Sequence, residues 1–335
     1  MSSLRVLVIG GSRFVGRQLA HQLVARGDRV TLLNRGSLDD GLGARVERLL
    51  VDRRTAALDA ALAGRRFDVV IDFAAFTGDE VERLQRVLGA SIGRYVLVSS
   101  GQVMLVREGC RTPAREEDYD GPLMPAPDDA RDRAEWEYGM GKRSCEDAIT
   151  SGPLADRAVR LRVPVLHGPG DPQRRLERLI ARMLDGGPIL VPRADAIVRH
   201  VYGPWLARFL VDRLDHPRFL GAIHVAPEET TTVREVIERV AALVGASAPR
   251  VPVEAGALAS HGLRAEDVGP FGGRWASVLD PSRAVRELAL AHPSLDAWLP
   301  GAVHAVLAHH AADPPPDLAH RPRELALAHE LLGGP

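Results

Sequence analysis

The stretch from residue 4 to residue 33 limits the fold more than any other. Leu4 to Ile9 is an apolar, β-branched run, the pattern of a strand buried on both faces. It stops at Gly10-Gly11-Ser12-Arg13-Phe14-Val15-Gly16. A helical pattern then carries Leu19, Leu23 and Val24 to a stop at Gly27, and Arg29 to Leu33 reads as a second strand. Strand, glycine turn, helix and strand in this order predict a dinucleotide-binding βαβ unit. Gly10 permits the tight turn, Gly16 lets the helix pack against the strands, and the helix N-terminus faces a pyrophosphate. The glycine pattern is broken at Arg13, a cation that can itself approach a phosphate. The plainer reading of Arg13 is a solvated first-turn residue.

The alternation continues. Val46 to Val51 is a strand ending at Asp52, a helix covers Ala56 to Ala63, and Val69 to Ile71 is a strand ending at Asp72-Phe73-Ala74-Ala75. A helix follows through Val81, Leu84 and Leu88, and Tyr95 to Val98 is a strand ending at Ser99-Ser100. This order predicts an α/β fold, a Rossmann-type doubly wound parallel sheet with its ligands at the carboxyl ends of the strands. Asp52, Asp72 and Ser100 fall on such ends. With a strand over 157–163, residues 1–165 make the dinucleotide-binding domain, which also draws on parts of 195–230. Residues 166–312 make a smaller, mainly C-terminal α/β part for substrate. Its helices are expected over 174–184, 205–214, 231–244, 278–290 and 295–309. Residues 313–335 read as a Pro-rich spacer and a terminal helix around Glu324 to Leu332. The Pro-, Gly- and acid-rich loop over 108–132 is expected to cover the site.

The second strand ends in Asn34-Arg35. A site for NAD places Asp or Glu there to hold the ribose 2′-hydroxyl, whereas an arginine accommodates a 2′-phosphate. The residues therefore favour NADP over NAD. The alternative is that Arg35 simply opens a polar loop with Gly36.

Lys142 is the single lysine of the chain, and it follows one of four tyrosines, Tyr138, by one helical turn. Arginine stays charged at any working pH, while lysine is a compact charge that its surroundings can tune. A cation beside a phenol lowers its pKa and makes it a general acid/base near neutrality. The competing reading is an incidental surface pair. Gly139 and Gly141 are unusual inside a helix, where each costs about 1 kcal/mol relative to alanine. They point to a close backbone approach or to a frayed helix start.

Composition excludes several classes. A formal net charge of −1 offers no basic field for nucleic acid. Cys110 and Cys145 are too few for a disulfide framework, and the histidines show no metal-ligand spacing. No metal is expected. There is no run of 18 apolar residues and no charged-then-apolar leader, so a soluble cytoplasmic protein is expected, with no membrane partner.

The chain resembles the extended and atypical short-chain dehydrogenase/reductases, the NAD-dependent epimerase/dehydratase family, from about residue 4 to about residue 308. The resemblance is carried by Gly10–Gly16, Asp72-Phe73-Ala74-Ala75, Ser99-Ser100-Gly101-Gln102-Val103, Tyr138-x-x-x-Lys142, and Leu161-Arg162 with His167-Gly168-Pro169-Gly170-Asp171. It implies Tyr138 as catalytic acid/base, Lys142 as its modulator and the holder of the nicotinamide ribose, and Ser100 as the hydroxyl that orients the reacting oxygen. Ser99 replaces Ser100 if the register differs by one. Cofactor contacts are implied at Gly10, Ser12, Arg13, Phe14, Val15, Gly16, Asn34, Arg35, Asp52, Phe73, Ala74, Ala75, Ser99, Tyr138, Lys142 and Pro164. Substrate contacts are implied at Gln102 and Arg199, the latter with a surface salt bridge as its alternative.

The departures matter too. Gly101-Gln102 stand where the family's dehydratases carry an Asp-Glu pair, which discounts dehydration. Pro164 stands where sugar epimerases often carry asparagine. The expectation is thus an NAD(P)-dependent oxidoreductase moving a hydride at a carbonyl/alcohol carbon of a small-molecule substrate, a nucleotide-sugar or another polar metabolite. One alternative is an epimerase with tightly held NAD. Another is a non-catalytic cofactor-binding or RNA-associated protein, which near-neutral charge disfavours. A homodimer through the helix that holds Tyr138 and the one before it is implied by the resemblance alone.

Overall fold

The computed structural model describes residues 3–269, 271–309, 316 and 318–333. Its elements run β1 (Arg5–Ile9), α1 (Phe14–Arg26), β2 (Arg29–Asn34), β3 (Glu47–Leu50), α2 (Ala57–Leu62), β4 (Phe67–Asp72), α3 (Gly78–Leu88), β5 (Ile92–Ser100), α4 (Gln102–Leu105), α5 (Ala130–Thr150) and β6 (Ala158–Val163). They continue with β7 (Val165–His167), α6 (Arg175–Leu184), β8 (Ile189–Pro192), β9 (Ile197–Val198), β10 (His200–Tyr202), α7 (Gly203–Arg213), β11 (Gly221–His224), β12 (Thr231–Thr232) and α8 (Val233–Val244). The last are β13 (Arg250–Val253), α9 (Ala255–Ser260), α10 (Ala265–Val268), α11 (Ser282–Leu288), α12 (Leu295–His309) and α13 (Arg321–Leu331).

The chain divides into two units. The first holds the described residues up to Pro164 with Val201–Glu228 and Leu279–His292. It is built on a seven-stranded sheet of order β11-β6-β5-β4-β1-β2-β3. The assigned pairings are parallel, and Ile9 stands level with both Leu33 and Asp72. Strand order reverses between β1 and β4, which is where an open α/β sheet forms a crevice at its carboxyl edge. Val6, Leu7, Val8 and Ile9 are all buried, as a strand covered on both faces requires. On one face Leu7, Val70, Tyr95 and Leu97 pack with Leu84 of α3 and Cys145 and Ile149 of α5.

Two buried charged groups lock the strand ends. Asp72 accepts both Arg53 Nη1 (2.6 and 2.9 Å) and the Tyr95 hydroxyl (2.9 Å), and its Oδ1 also takes the Ala74 N–H at 2.9 Å. Asp72 is therefore spent on the scaffold and is not available to a ligand. Behind β5, Glu146 receives a fork from Arg162 with N–O distances of 2.7–3.1 Å, and Ser99 Oγ donates to it at 2.6 Å. Each carboxylate has several donors, the condition under which a buried charge is tolerated.

Residues 279–292, assigned from sequence to the second part, belong to the first unit. Leu279 bridges to Ala114, and the Asp280 N–H reaches Ala114 O at 2.8 Å. The helix expected over 278–290 is shorter, Ser282–Leu288. Pro281 lacks a donor and starts a helix well but does not sit inside one.

The second unit comprises Val165–His200, Glu229–Val278 and the described residues from Pro293 onward. The expected spacer over 313–315 lies outside the described residues. The expected terminal helix is α13, and it is part of this unit's core. Leu327 and Ala328 pack with Leu190, Val251 and Leu258. Glu324 accepts both Arg182 Nη2 (2.6 Å) and Arg182 Nε (2.8 Å), with both side chains 1 % exposed.

Candidate active site

The glycine turn is shaped as the cradle requires. Gly10 has φ +82°, and a Cβ on Gly16 would lie 2.9 Å from Gly10 O. A Cβ on Gly10 would meet Ala74 Cβ at 3.1 Å and Phe73 Cβ at 3.4 Å, so the 73–74 loop lies directly against the turn. Arg13 takes the N-cap position of α1 without capping it, its side chain is exposed, and the first turn carries no acid. The N-terminal N–H groups of α1 thus lack a side-chain acceptor at the cap, which suits an anionic pyrophosphate. Phe14 follows with φ +45°, a conformation that a bulky residue rarely adopts. Val15 is buried, so only its backbone can serve a ligand.

At the end of β2, Asn34 Nδ2 donates to Ser12 Oγ at 2.7 Å and Asn34 Oδ1 accepts the Gly36 N–H at 2.9 Å. Asn34 therefore ties the glycine turn to the β2 loop and leaves Arg35 exposed. Asp52 is not a free acceptor. Arg54 grips it through Nε (3.0 Å) and Nη2 (2.7 Å), and that bond, helped by Arg35, holds the carboxyl well below the usual range. Sequence reasoning missed Arg54, although an Asp-x-Arg at a strand end is its signal.

The other end of the site is built from β5, the 73–76 loop and α5. Tyr138 and Lys142 lie on α5, Tyr138 half-buried and Lys142 2 % exposed. Lys142 Nζ donates to Ala75 O at 2.7 Å and to Val98 O at 3.0 Å, and sits 6.0 Å from the Tyr138 ring centroid. Burial pushes this ammonium below the ordinary lysine value, with Cys145 and Asp72 pulling the other way. Two of its three protons are held by backbone, which fixes the charge beside the phenol.

The helical glycines are close approaches and not a frayed start, since α5 begins eight residues before Tyr138. A Cβ on Gly139 would lie 2.6 Å from Val106 Cγ1, and one on Gly141 would lie 2.3 Å from Phe76 O.

Ser100 ends β5 with a partly exposed side chain, and its Oγ accepts the Gln102 N–H at 3.2 Å. Ser99, expected among the cofactor contacts and as the alternative to Ser100, is turned away, 2 % exposed and spent on Glu146. Alternation along the strand sends neighbouring side chains to opposite faces. Pro164 is buried just after β6. Arg199 lies in the second unit, where its Nη2 donates to Thr230 Oγ1 at 3.3 Å.

Gln102 Nε2 donates to Glu135 O at 3.2 Å and to the Glu135 carboxylate. Glu135 is three residues before Tyr138 and seven before Lys142, so all three share a helix face. This carboxylate, supplied by α5, was not anticipated. The 108–132 segment is fastened to α5 and β6: the guanidinium groups of Arg143 and Arg162 lie 3.7 and 4.5 Å from the Tyr119 ring centroid. Among the described residues no group of three His, Cys, Asp or Glu could hold a metal ion.

Residues 6–219 match the family described as the NAD dependent epimerase/dehydratase family. The chain belongs to that family. In fold it is similar to the enzyme WbmG of Bordetella bronchiseptica, solved with NAD and UDP, at 17 % identity and a TM-score of 0.69 over 93 % of this chain and 96 % of that one. It is also similar to the UDP-N-acetylglucosamine 4-epimerase of Methanobrevibacter ruminantium M1, solved with UDP-N-acetylmuramic acid, at 16 % identity and a TM-score of 0.69 over 93 % and 99 %. A third is the dTDP-glucose 4,6-dehydratase of Bacillus anthracis in complex with NAD, at 14 % identity and a TM-score of 0.67 over 92 % and 98 %. No curated protein matches the chain in sequence. No helix among the described residues is long and apolar enough to cross a membrane.

Proposed function

We propose that this family member is an NADP(H)-dependent oxidoreductase acting at a carbonyl/alcohol carbon of a polar small molecule. The observation that carries the reading is Lys142, held by two carbonyls beside the half-buried Tyr138 with Ser100 at the end of the neighbouring strand. Tyr138 gives its phenolic proton to the substrate oxygen in the reducing direction and takes it back in the other. The Ser100 hydroxyl orients that oxygen, and the Lys142 charge favours the phenolate. A bound nicotinamide cofactor would supply or accept the hydride. The turn around Gly10 and Gly16, the Ser12–Asn34 bond and the N-terminus of α1 would hold it.

The preference for NADP is supported by charge. Arg13 and Arg35 are exposed near the strand ends, β2 ends without an acid, and Asp52 is neutralised by Arg54. A ribose 2′-phosphate fits that surface better than a bare hydroxyl. The second reading is an epimerase that keeps NAD through its cycle. It draws on similar folds solved with NAD, one of them also with UDP.

The test is to denature fresh protein and identify any released cofactor, then titrate emptied protein with NADPH and NADH. Empty protein that prefers NADPH supports the reductase. About one NAD(H) retained per chain supports the epimerase. Tyr138→Phe is expected to abolish turnover and keep cofactor affinity, and full activity in that variant would refute the assignment of Tyr138.

A further inference from the structure

Phe76 follows the loop that carries Lys142's carbonyl partner, and nothing above gives it a role. Its backbone is fixed on several sides. The Phe76 N–H donates to Glu80 Oε2 at 2.7 Å, Ala74 is held by Asp72, and Ala75 O is held by Lys142. Phe76 O lies so near α5 that a Cβ on Gly141 would come within 2.3 Å of it. The ring, by contrast, is left out. Phe76 is 51 % exposed, its ring centroid 4.9 Å from Lys142 Nζ and 6.2 Å from the Tyr138 ring centroid, at 51° to it.

A single exposed apolar residue is ordinary on a protein surface. This one differs in being immobilised at the backbone while its ring borders the acid/base and the site's one ammonium. An aromatic ring loses little entropy on stacking when its backbone is already fixed, and prefers offset contact with another flat ring. The residues next to it in the chain, Ala74 and Ala75, are too small to form such a wall.

We infer that Phe76 is the side wall of the nicotinamide subsite, packing its exposed ring against the cofactor's nicotinamide and shielding the Tyr138–Lys142 pair from water. The inference rests on the cofactor reading above. It predicts that Phe76 acts on the nicotinamide half of the cofactor and leaves the adenosine half untouched.

The test uses the whole chain, emptied of any cofactor, and the dihydronicotinamide fluorescence of NADPH, with NADH in parallel. Wild type should raise and blue-shift that emission on binding. Phe76→Ala should bind the reduced cofactor about tenfold more weakly and lose the emission gain. Its affinity for the adenosine-half probe, 2′,5′-ADP for NADPH or ADP for NADH, should stay within about twofold. Phe76→Tyr should restore both cofactor affinity and emission. Unchanged cofactor binding in Phe76→Ala overturns the inference alone. Equal loss of cofactor and adenosine-half probe overturns it in favour of a role in loop folding, which a thermal melt of the same variant registers. A wild type that binds neither reduced cofactor overturns the cofactor reading, and the inference falls with it.

Discussion

Gly141→Ala tests how the site is held together. The added Cβ would stand 2.3 Å from Phe76 O, and contacts shorter than 3.0 Å are not tolerated, so α5 and the 73–76 loop must separate by roughly 0.7 Å. The opposing atom is a backbone carbonyl whose own N–H is bound to Glu80, so it cannot swing aside as a flexible side chain would. Overpacking of this kind costs about 1–3 kcal/mol, and replacing a helical glycine returns about 1 kcal/mol. The net change should be a loss of about 0–2 kcal/mol. The displaced carbonyl is one residue from Ala75 O, so the Lys142 anchor moves as well and reduced-cofactor binding should weaken. Gly301→Ala is the control. Gly301 lies in α12 with nothing within 4 Å of its would-be Cβ, so the same change should stabilise by up to about 1 kcal/mol. Urea unfolding of both variants, with cofactor titrations, reads the difference. A Gly141→Ala protein stabilised as much as Gly301→Ala would refute the close-contact account of the helical glycines.

His200 and His224 are each buried as the neutral ring and pushed down to about 3, mainly by desolvation and further by Arg175 and Arg162 respectively. The unfolded chain takes up protons near pH 6.5 and the folded one does not, so the first unit, with His224, should be fully stable above that pH and lose about 2 kcal/mol between pH 7 and pH 5, and the second, where burial also pushes His167 beside His200 well down, should lose more. Urea midpoints at the two pH values check this, and a flat profile would contradict it. Glu324→Ala strips Arg182 of its buried partner and should cost the second unit about 3–5 kcal/mol, read as an early unfolding transition. The outward positions of α3 and α5 carry Asp79, Glu82, Arg86, Ser144 and Asp147, all exposed. The dimer implied by the family resemblance would bury these polar groups, so we expect a monomer at micromolar concentration in light scattering, and a tight dimer there would contradict it.

The β/α alternation was legible because the strands of a doubly covered sheet are continuous apolar runs and their punctuation is glycine and polar residues, with no proline before Pro113. Tyr138 and Lys142 were legible for a different reason, since helical spacing alone puts them on one face. What escaped was set by distant partners. Glu324 meets Arg182 across 142 residues, and no local pattern in α13 announces that it completes a core. Leu279 was assigned to the wrong part because its partner is Ala114. Ser99 and Ser100 are equivalent to a pattern reader, and only the buried Glu146 on α5 decides which of them faces the ligand side. Glu135 had a signal in its spacing to Tyr138, but it sits among other acids in an exposed helix start and was indistinguishable from solvated charge.

The two ends of the site rest on different physics. At the adenosine end of the proposed site the charges are exposed and the one carboxylate is already paired, so each arginine contributes only a weak, salt-screened interaction. Such groups can choose between cofactors that differ by one phosphate, and they can be exchanged without disturbing the fold. At the reacting end the single ammonium is buried, its place set by Ala75 O and Val98 O. Those carbonyls are placed by Asp72 with Arg53 and Tyr95 on one side, and on the other by Glu146 with Arg162 and Ser99. The geometry of the Tyr138–Lys142 pair, the proton-transfer pair of the proposed function, is thus a property of the whole sheet edge. This also gives a physical reason for the one lysine in an arginine-rich chain. A guanidinium is a planar fork of five donors, while the compact ammonium meets both carbonyls, 75 and 98, with one atom.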